Sequence, residues 1–135
     1  MLIVRQPEAI AQIPHAAIRR RIECRFQELF KEYGQDWSAD ELGWFIVWGI
    51  GDDPYDPVPI RGFQPLLVSS DGQRRYGEPG YRHGFEAVED HGECFEIVMV
   101  LTDLVSICIF VPKVQGIHPD VIRAATALSN QEEQQ

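Results

Sequence analysis

After Pro14, apolar residues recur at helical spacing: Ile18, Ile22, Phe26, Leu29 and Tyr33 share one face, and Gly34 follows as a C-cap. The spacing predicts an amphipathic helix whose outer face is mildly basic. Arg20, Cys24, Gln27 and Lys31 fall opposite the stripe, with Arg21 and Arg25 on its flank, one turn apart. Ile10 and Ile13 read as a short separate turn, because Pro14 cannot donate a backbone hydrogen bond inside a continuing helix. The run Trp44-Phe45-Ile46-Val47-Trp48-Gly49-Ile50 is apolar on both faces and rich in β-formers, which predicts an interior strand covered on both sides. Trp44 and Trp48 would share a face with Ile46 and Ile50, more in keeping with core than with an exposed platform.

Leu66 to Ser69 reads as a short strand, and residues 73–84, rich in Gly, Pro and Arg, as a long exposed connection. Three further strand-like runs follow: Phe85 to Glu89, Cys94 to Leu101 and Val105 to Val111. The links between them are short enough for hairpins, so the pattern predicts an antiparallel meander. His118-Pro119-Asp120 opens a short final helix carrying Val121, Ile122, Ala125 and Leu128, and Ser129 to Gln135 reads as a frayed polar tail. The expected class is α+β: one domain over 1–135, with an antiparallel sheet of about five strands packed against an N-terminal and a C-terminal helix.

The chain has 135 residues, of which 44% are hydrophobic, enough for one core without disulfides or metal. The three cysteines, Cys24, Cys94 and Cys108, are odd in number and widely spaced, which argues for reduced thiols. No basic, apolar leader opens the chain, and the longest apolar candidate, Phe95 to Val111, is broken by Glu96, Thr102, Asp103 and Ser106. A cytoplasmic protein with no membrane association is the expectation.

Charge is the most informative part of the composition. The net charge is -9, and residues 35–60 and 85–112 each carry six acids with no Lys or Arg, leaving the rest of the chain at +3. Such a surface repels phosphate backbones, so direct nucleic-acid binding is not expected. It would attract a basic protein partner, because complementary fields raise the encounter rate and enforce partner choice.

Candidate chemistry is sparse. Asp52, Asp53 and Asp56 spell a DDxxD string, but Pro54 and Pro57 favour an irregular loop over the helix face on which such acids hold a cation. His83, His91 and Cys94 form a compact grouping of borderline ligands, yet His91-x-x-Cys94 supplies only two near one turn. Signatures of a serine nucleophile elbow, a zinc protease and a phosphate-binding loop are absent. Cys24 sits mid-helix among arginines, and Arg74, Arg75, Tyr81, Arg82 and His83 belong to what reads as a solvated loop. No cofactor or metal is expected.

The leading expectation is therefore a small acidic protein that occludes a basic protein surface, as an inhibitor of immunity or anti-defence type would. The interface would be built from Asp36, Trp37, Asp40, Asp52, Asp53, Tyr55, Asp56, Glu89, Asp90 and Glu93, with Trp37 as an exposed anchor. One alternative is a small enzyme with a carboxylate and histidine in a cleft near residues 74–93, favoured if His83 or His91 meets an acid in a pocket. Another is a homo-oligomeric structural subunit. The balance favours binding over catalysis.

Overall fold

The computed structural model describes residues 1–34, 43–56, 58, 65–69, 81–83, 85–100 and 106–133. The strands are β1 (Leu2–Val4), β2 (Gly43–Val47), β3 (Leu67–Ser69), β4 (Tyr81–His83), β5 (Ala87–Asp90), β6 (Cys94–Val100) and β7 (Ser106–Pro112). The helices are a 3-10 segment over Pro7–Gln12, α1 (Ala16–Tyr33) and α2 (Pro119–Glu133). Within α1 Ile18, Ile22 and Phe26 of the predicted stripe are buried and Leu29 is half-buried, the Tyr33 side chain lying outside the described residues, and Gly34 closes the helix at φ 87° with its N–H on the Phe30 carbonyl. Arg19 turns back to hydrogen-bond the Ile13 carbonyl at 2.8 and 3.0 Å, pinning the preceding segment to the helix.

Five strands form one sheet in the order β1-β2-β7-β6-β5, and β3 pairs with β4 in a separate two-stranded sheet. The α+β class holds, but the sheet is mixed: β2 runs parallel to β7, while the β5–β6 and β6–β7 pairs are antiparallel. β1, unmarked in the pattern because it is only three residues long, takes an edge of the five-stranded sheet, and the 66–69 strand is not part of that sheet. That strand instead pairs with Tyr81–His83, inside the segment expected to be a plain connection. The stretch from Ser129, expected as a frayed tail, continues α2 to Glu133, since it contains no Gly or Pro to stop a helix.

The side-chain period of two splits the core in two. Phe45, Val47, Cys94 and Phe110 pack beneath α1 with Ile18, Ile22 and Phe26. Ile46, Trp48, Phe95, Ile97, Ile107, Ile109 and Val111 face the other way, onto Val121, Ala124 and Ala125 of α2. The two helices thus cover opposite faces. β2 lies between β1 and β7 and is buried on both faces from Phe45 to Trp48, as its unbroken apolar run predicts. Among the described residues no helix is long and apolar enough to cross a membrane.

Candidate functional site

The register aligns Leu2, Val47, Phe110, Glu96 and Glu89 in one row across the five strands. Beyond that row, on the same side, lie Met1, the 49–56 loop, the 91–93 turn and the segment after Pro112. The 49–56 loop and the 91–93 turn, one from each acidic stretch, therefore leave the same end of the sheet, with β2 and β5 three strand spacings or about 14 Å apart.

Not all of the carboxylates there are free to act on a partner. Asp52 accepts from the Gly49 N–H at 2.7 Å and pairs with the N-terminal ammonium at 2.7 Å. Asp53 is exposed and accepts from the Tyr55 N–H at 2.9 Å, the ordinary turn-forming use of a loop aspartate. The Tyr55 hydroxyl donates to Asp120 on α2 at 2.9 Å, and the ring meets His118 edge-on, so Tyr55 fastens the loop to the helix. Asp90 accepts from Lys113 Nζ at 2.5 Å and from the Gly92 N–H at 2.8 Å. These bonds, Lys113's foremost, hold its carboxyl below the usual carboxylate range. Asp56 and Glu93 are exposed. Asp36, Trp37 and Asp40 lie outside the described residues, as do the side chains of Trp44 and His83 and the whole of Arg74 and Arg75.

The same end of the sheet also carries exposed apolar side chains. The large hydrophobic side chains exposed among the described residues are Met1 (38%), Ile50 (70%) and Val114 (41%). They leave the same sheet end from β1, β2 and β7, three neighbouring strands.

A second site lies on the α1 face. Glu89 and Glu96 are directly opposite one another across β5 and β6, and Glu96 is 3% exposed. Arg25 reaches down from α1 and places one guanidinium nitrogen 3.0 and 2.8 Å from the two Glu96 oxygens and 4.0 Å from Glu89. His91 Nε2 lies 2.9 Å from Glu96 Oε1 and 3.7 Å from Glu89 Oε2. Burial would lower the Arg25 pKa, but the hydrogen bond and the charge of Glu96 outweigh it and raise it. A groove of about 470 Å³ opens beside this cluster, lined by Arg20, Arg21, Cys24, Glu28, Glu93 and Cys94 in addition to Arg25, Glu89 and His91.

The sequence marked His91 and placed Arg25 on the flank of the helix, but missed Glu96. The available signal was positional: Glu96 is the one charge inside the apolar run Cys94–Val100, on the parity that faces α1. The DDxxD string does not converge, since Asp52 turns to the N-terminus and Asp53 to its own loop. Among the cysteines, Cys24 is exposed, burial raises the Cys94 thiol, and burial followed by the Glu96 charge pushes Cys108 up to about 11. Comparison with models of known families, with curated proteins and with solved structures finds no match.

Proposed function

We propose that the chain is a binding protein that docks a basic protein surface with the end of its sheet formed by Met1, the 49–56 loop, the 91–93 turn and Val114. The single observation behind this reading is that the large hydrophobic side chains exposed among the described residues, Met1, Ile50 and Val114, all lie at the sheet end that also carries the acidic 49–56 loop and 91–93 turn. Protein interfaces combine an apolar centre, which supplies desolvation, with a polar rim that selects the partner. Here Met1, Ile50 and Val114 would supply the apolar contact, and the exposed Asp53, Asp56 and Glu93 at the same sheet end the charged part. The pairing of Asp52 and Asp90 with nearby cations reduces the field of this end, so its specificity rests on shape and apolar contact as well as charge.

The test is capture of the partner followed by stopped-flow association at rising ionic strength. A basic partner whose association slows steeply with salt, and whose dissociation quickens in Ile50→Ala, supports the reading. A partner indifferent both to salt and to Ile50→Ala removes it.

A second reading is favoured by one specific observation: His91 meets Glu96 and Glu89 beside a groove. On that reading the groove between α1 and the β5–β6 turn is catalytic. A carboxylate-oriented imidazole is a common means of moving a proton at neutral pH. A shift of the His91 ring resonances by a small-molecule ligand, lost when Glu96 is replaced by Gln, would support it. An unchanged spectrum across a broad fragment library would count against it.

A further inference from the structure

Two carboxylates placed directly opposite one another on an antiparallel ladder repel, and an imidazole set against both does not relieve that repulsion while neutral. Arg25 supplies one positive charge to Glu89 and Glu96 and is itself shared with Glu28, 3.8 Å from its other terminal nitrogen. Among the described residues Arg25 and His91 are the bases within 4.0 Å of these two carboxylates, and Arg20 and Arg21 line the same groove. The donor atoms of the cluster, one each from Glu89, His91 and Glu96, all lie within 4.8 Å of one another.

We propose that Glu89, His91 and Glu96 hold a divalent first-row transition cation of the zinc class. Donors bound about 2.0–2.2 Å from a cation are separated by about 2.9–3.5 Å in octahedral or tetrahedral arrangements. The His91–Glu96 separation of 2.9 Å meets the lower end of that range, the His91–Glu89 separation of 3.7 Å lies just beyond it, and all three donor atoms lie within 4.8 Å of one another. Glu96 and His91 are held in place by burial, whereas Glu89 is 63% exposed and free to swing toward them.

The donor set selects the ion. One imidazole with two carboxylates suits zinc, manganese, iron(II) or cobalt, while magnesium and calcium prefer oxygen alone. Arg25 then becomes an outer partner: its 2.8 Å bond to Glu96 Oε2 orients the carboxylate, and the cation would displace its longer 3.0 Å bond to Oε1, the oxygen that also meets His91. Binding replaces the Nε2–Oε1 hydrogen bond, so the neutral imidazole carries its proton on Nδ1 and offers the Nε2 lone pair. The groove provides the path of entry and leaves the remaining coordination positions to water. This proposal is independent of the docking reading, which uses the end of the sheet.

The experiment is titration of untagged, chelator-stripped protein with Co²⁺ and Zn²⁺, followed by calorimetry and by the visible spectrum of bound cobalt. The expected result is one equivalent bound, with Mg²⁺ and Ca²⁺ unable to displace it. His91→Ala and Glu89→Gln should each weaken binding by about 100-fold or more, because loss of an outer partner alone costs 10–100-fold. Glu89→Gln alters an exposed side chain, and its far-ultraviolet circular dichroism serves as the check on folding. Cys24→Ser should bind as the parent does, which separates this site from a surface thiol. Absence of cobalt binding, or binding that survives both His91→Ala and Glu89→Gln, overturns the proposal.

Discussion

Glu96 on β6 and Arg25 on α1 are 71 residues apart in the chain and meet through hydrogen bonds of 2.8 and 3.0 Å. This contact ties the first helix to the centre of the antiparallel ladder, across a face that is otherwise apolar around Phe26, Cys108 and Phe110. The carboxylate is almost wholly buried and the guanidinium is 41% exposed. The two partners therefore lose hydration unequally, and the acid depends on the base more than the base on the acid.

That asymmetry makes a prediction about stability. Arg25→Ala leaves a buried carboxylate without its cation and is expected to cost about 1–3 kcal/mol in urea denaturation. Glu96→Gln keeps the volume but loses the charge and is expected to cost less. The double variant Arg25→Met/Glu96→Leu should recover most of the loss, since replacing both members of a buried pair by apolar groups is often close to neutral. Arg25→Met and Glu96→Leu as single variants whose effects simply add in the double would show that the two groups are not coupled.

Acid sensitivity follows from Asp90. Lys113, together with the Gly92 N–H, holds its carboxyl below the usual range. A lowered folded-state pKa means that the stabilisation is fully present above the unfolded-state value, near 3.9, and is lost as pH falls through the folded-state value. Asp90→Asn should therefore lower the urea midpoint at pH 7 and make progressively less difference as the pH is taken down past the unfolded-state value and through the lower folded-state one. The pair is partly exposed, so the effect should stay below about 1 kcal/mol and shrink in high salt. A difference between parent and variant that persists unchanged at low pH would contradict this account.

The helices were legible in the sequence because their signals are local: the stripe from Ile18 to Phe26, Gly34 past its end and Pro119 at the start of α2. The β5, β6 and β7 runs were legible for the same reason. The parallel pairing of β2 with β7 was not, because periodicity records which face is buried and says nothing of which strand lies alongside. Its trace was present in the unbroken apolar run from Trp44 to Ile50, the pattern of a strand covered on both faces. The Arg25–Glu96 contact was illegible for a related reason, since it joins two elements whose sequential order does not imply contact. Charge counting located both acidic loops but not their internal cations, the ammonium of Met1 and Lys113.

The thiols give a simple chemical check. Cys24 is exposed on the groove side of α1, Cys94 is fully buried, and the Cys108 thiol is pushed up to about 11. Because the thiolate is the reactive form, burial and raised pKa hold back Cys94 and Cys108, while Cys24 is open to solvent. Native protein at pH 8 should titrate one fast thiol with a chromogenic disulfide and three after unfolding. Cys24→Ser should remove the fast phase and leave stability nearly unchanged. Two fast thiols in the native protein would mean that one of the sheet cysteines is more accessible than its packing shows.

Gly116 and Ile50 link the fold to the proposed docking surface. Gly116 has φ 101°, a conformation costly for any residue with a Cβ, and a Cβ built there would lie 2.9 Å from Ile50 Cγ2. Gly116→Ala is therefore expected to destabilise by about 1–3 kcal/mol. Most of that should be backbone strain, because Ile50 is 70% exposed and can rotate away. Ile50→Ala alone should change stability by less than about 0.5 kcal/mol. Adding it to Gly116→Ala should recover only a small part of the loss. The two positions thus separate fold from function. Gly116→Ala should lower the denaturation midpoint, whereas Ile50→Ala should leave the midpoint in place and speed dissociation of the partner. An Ile50→Ala variant that unfolds readily would show that the side chain serves the fold instead, and would weaken the case for a docking surface at this end of the sheet.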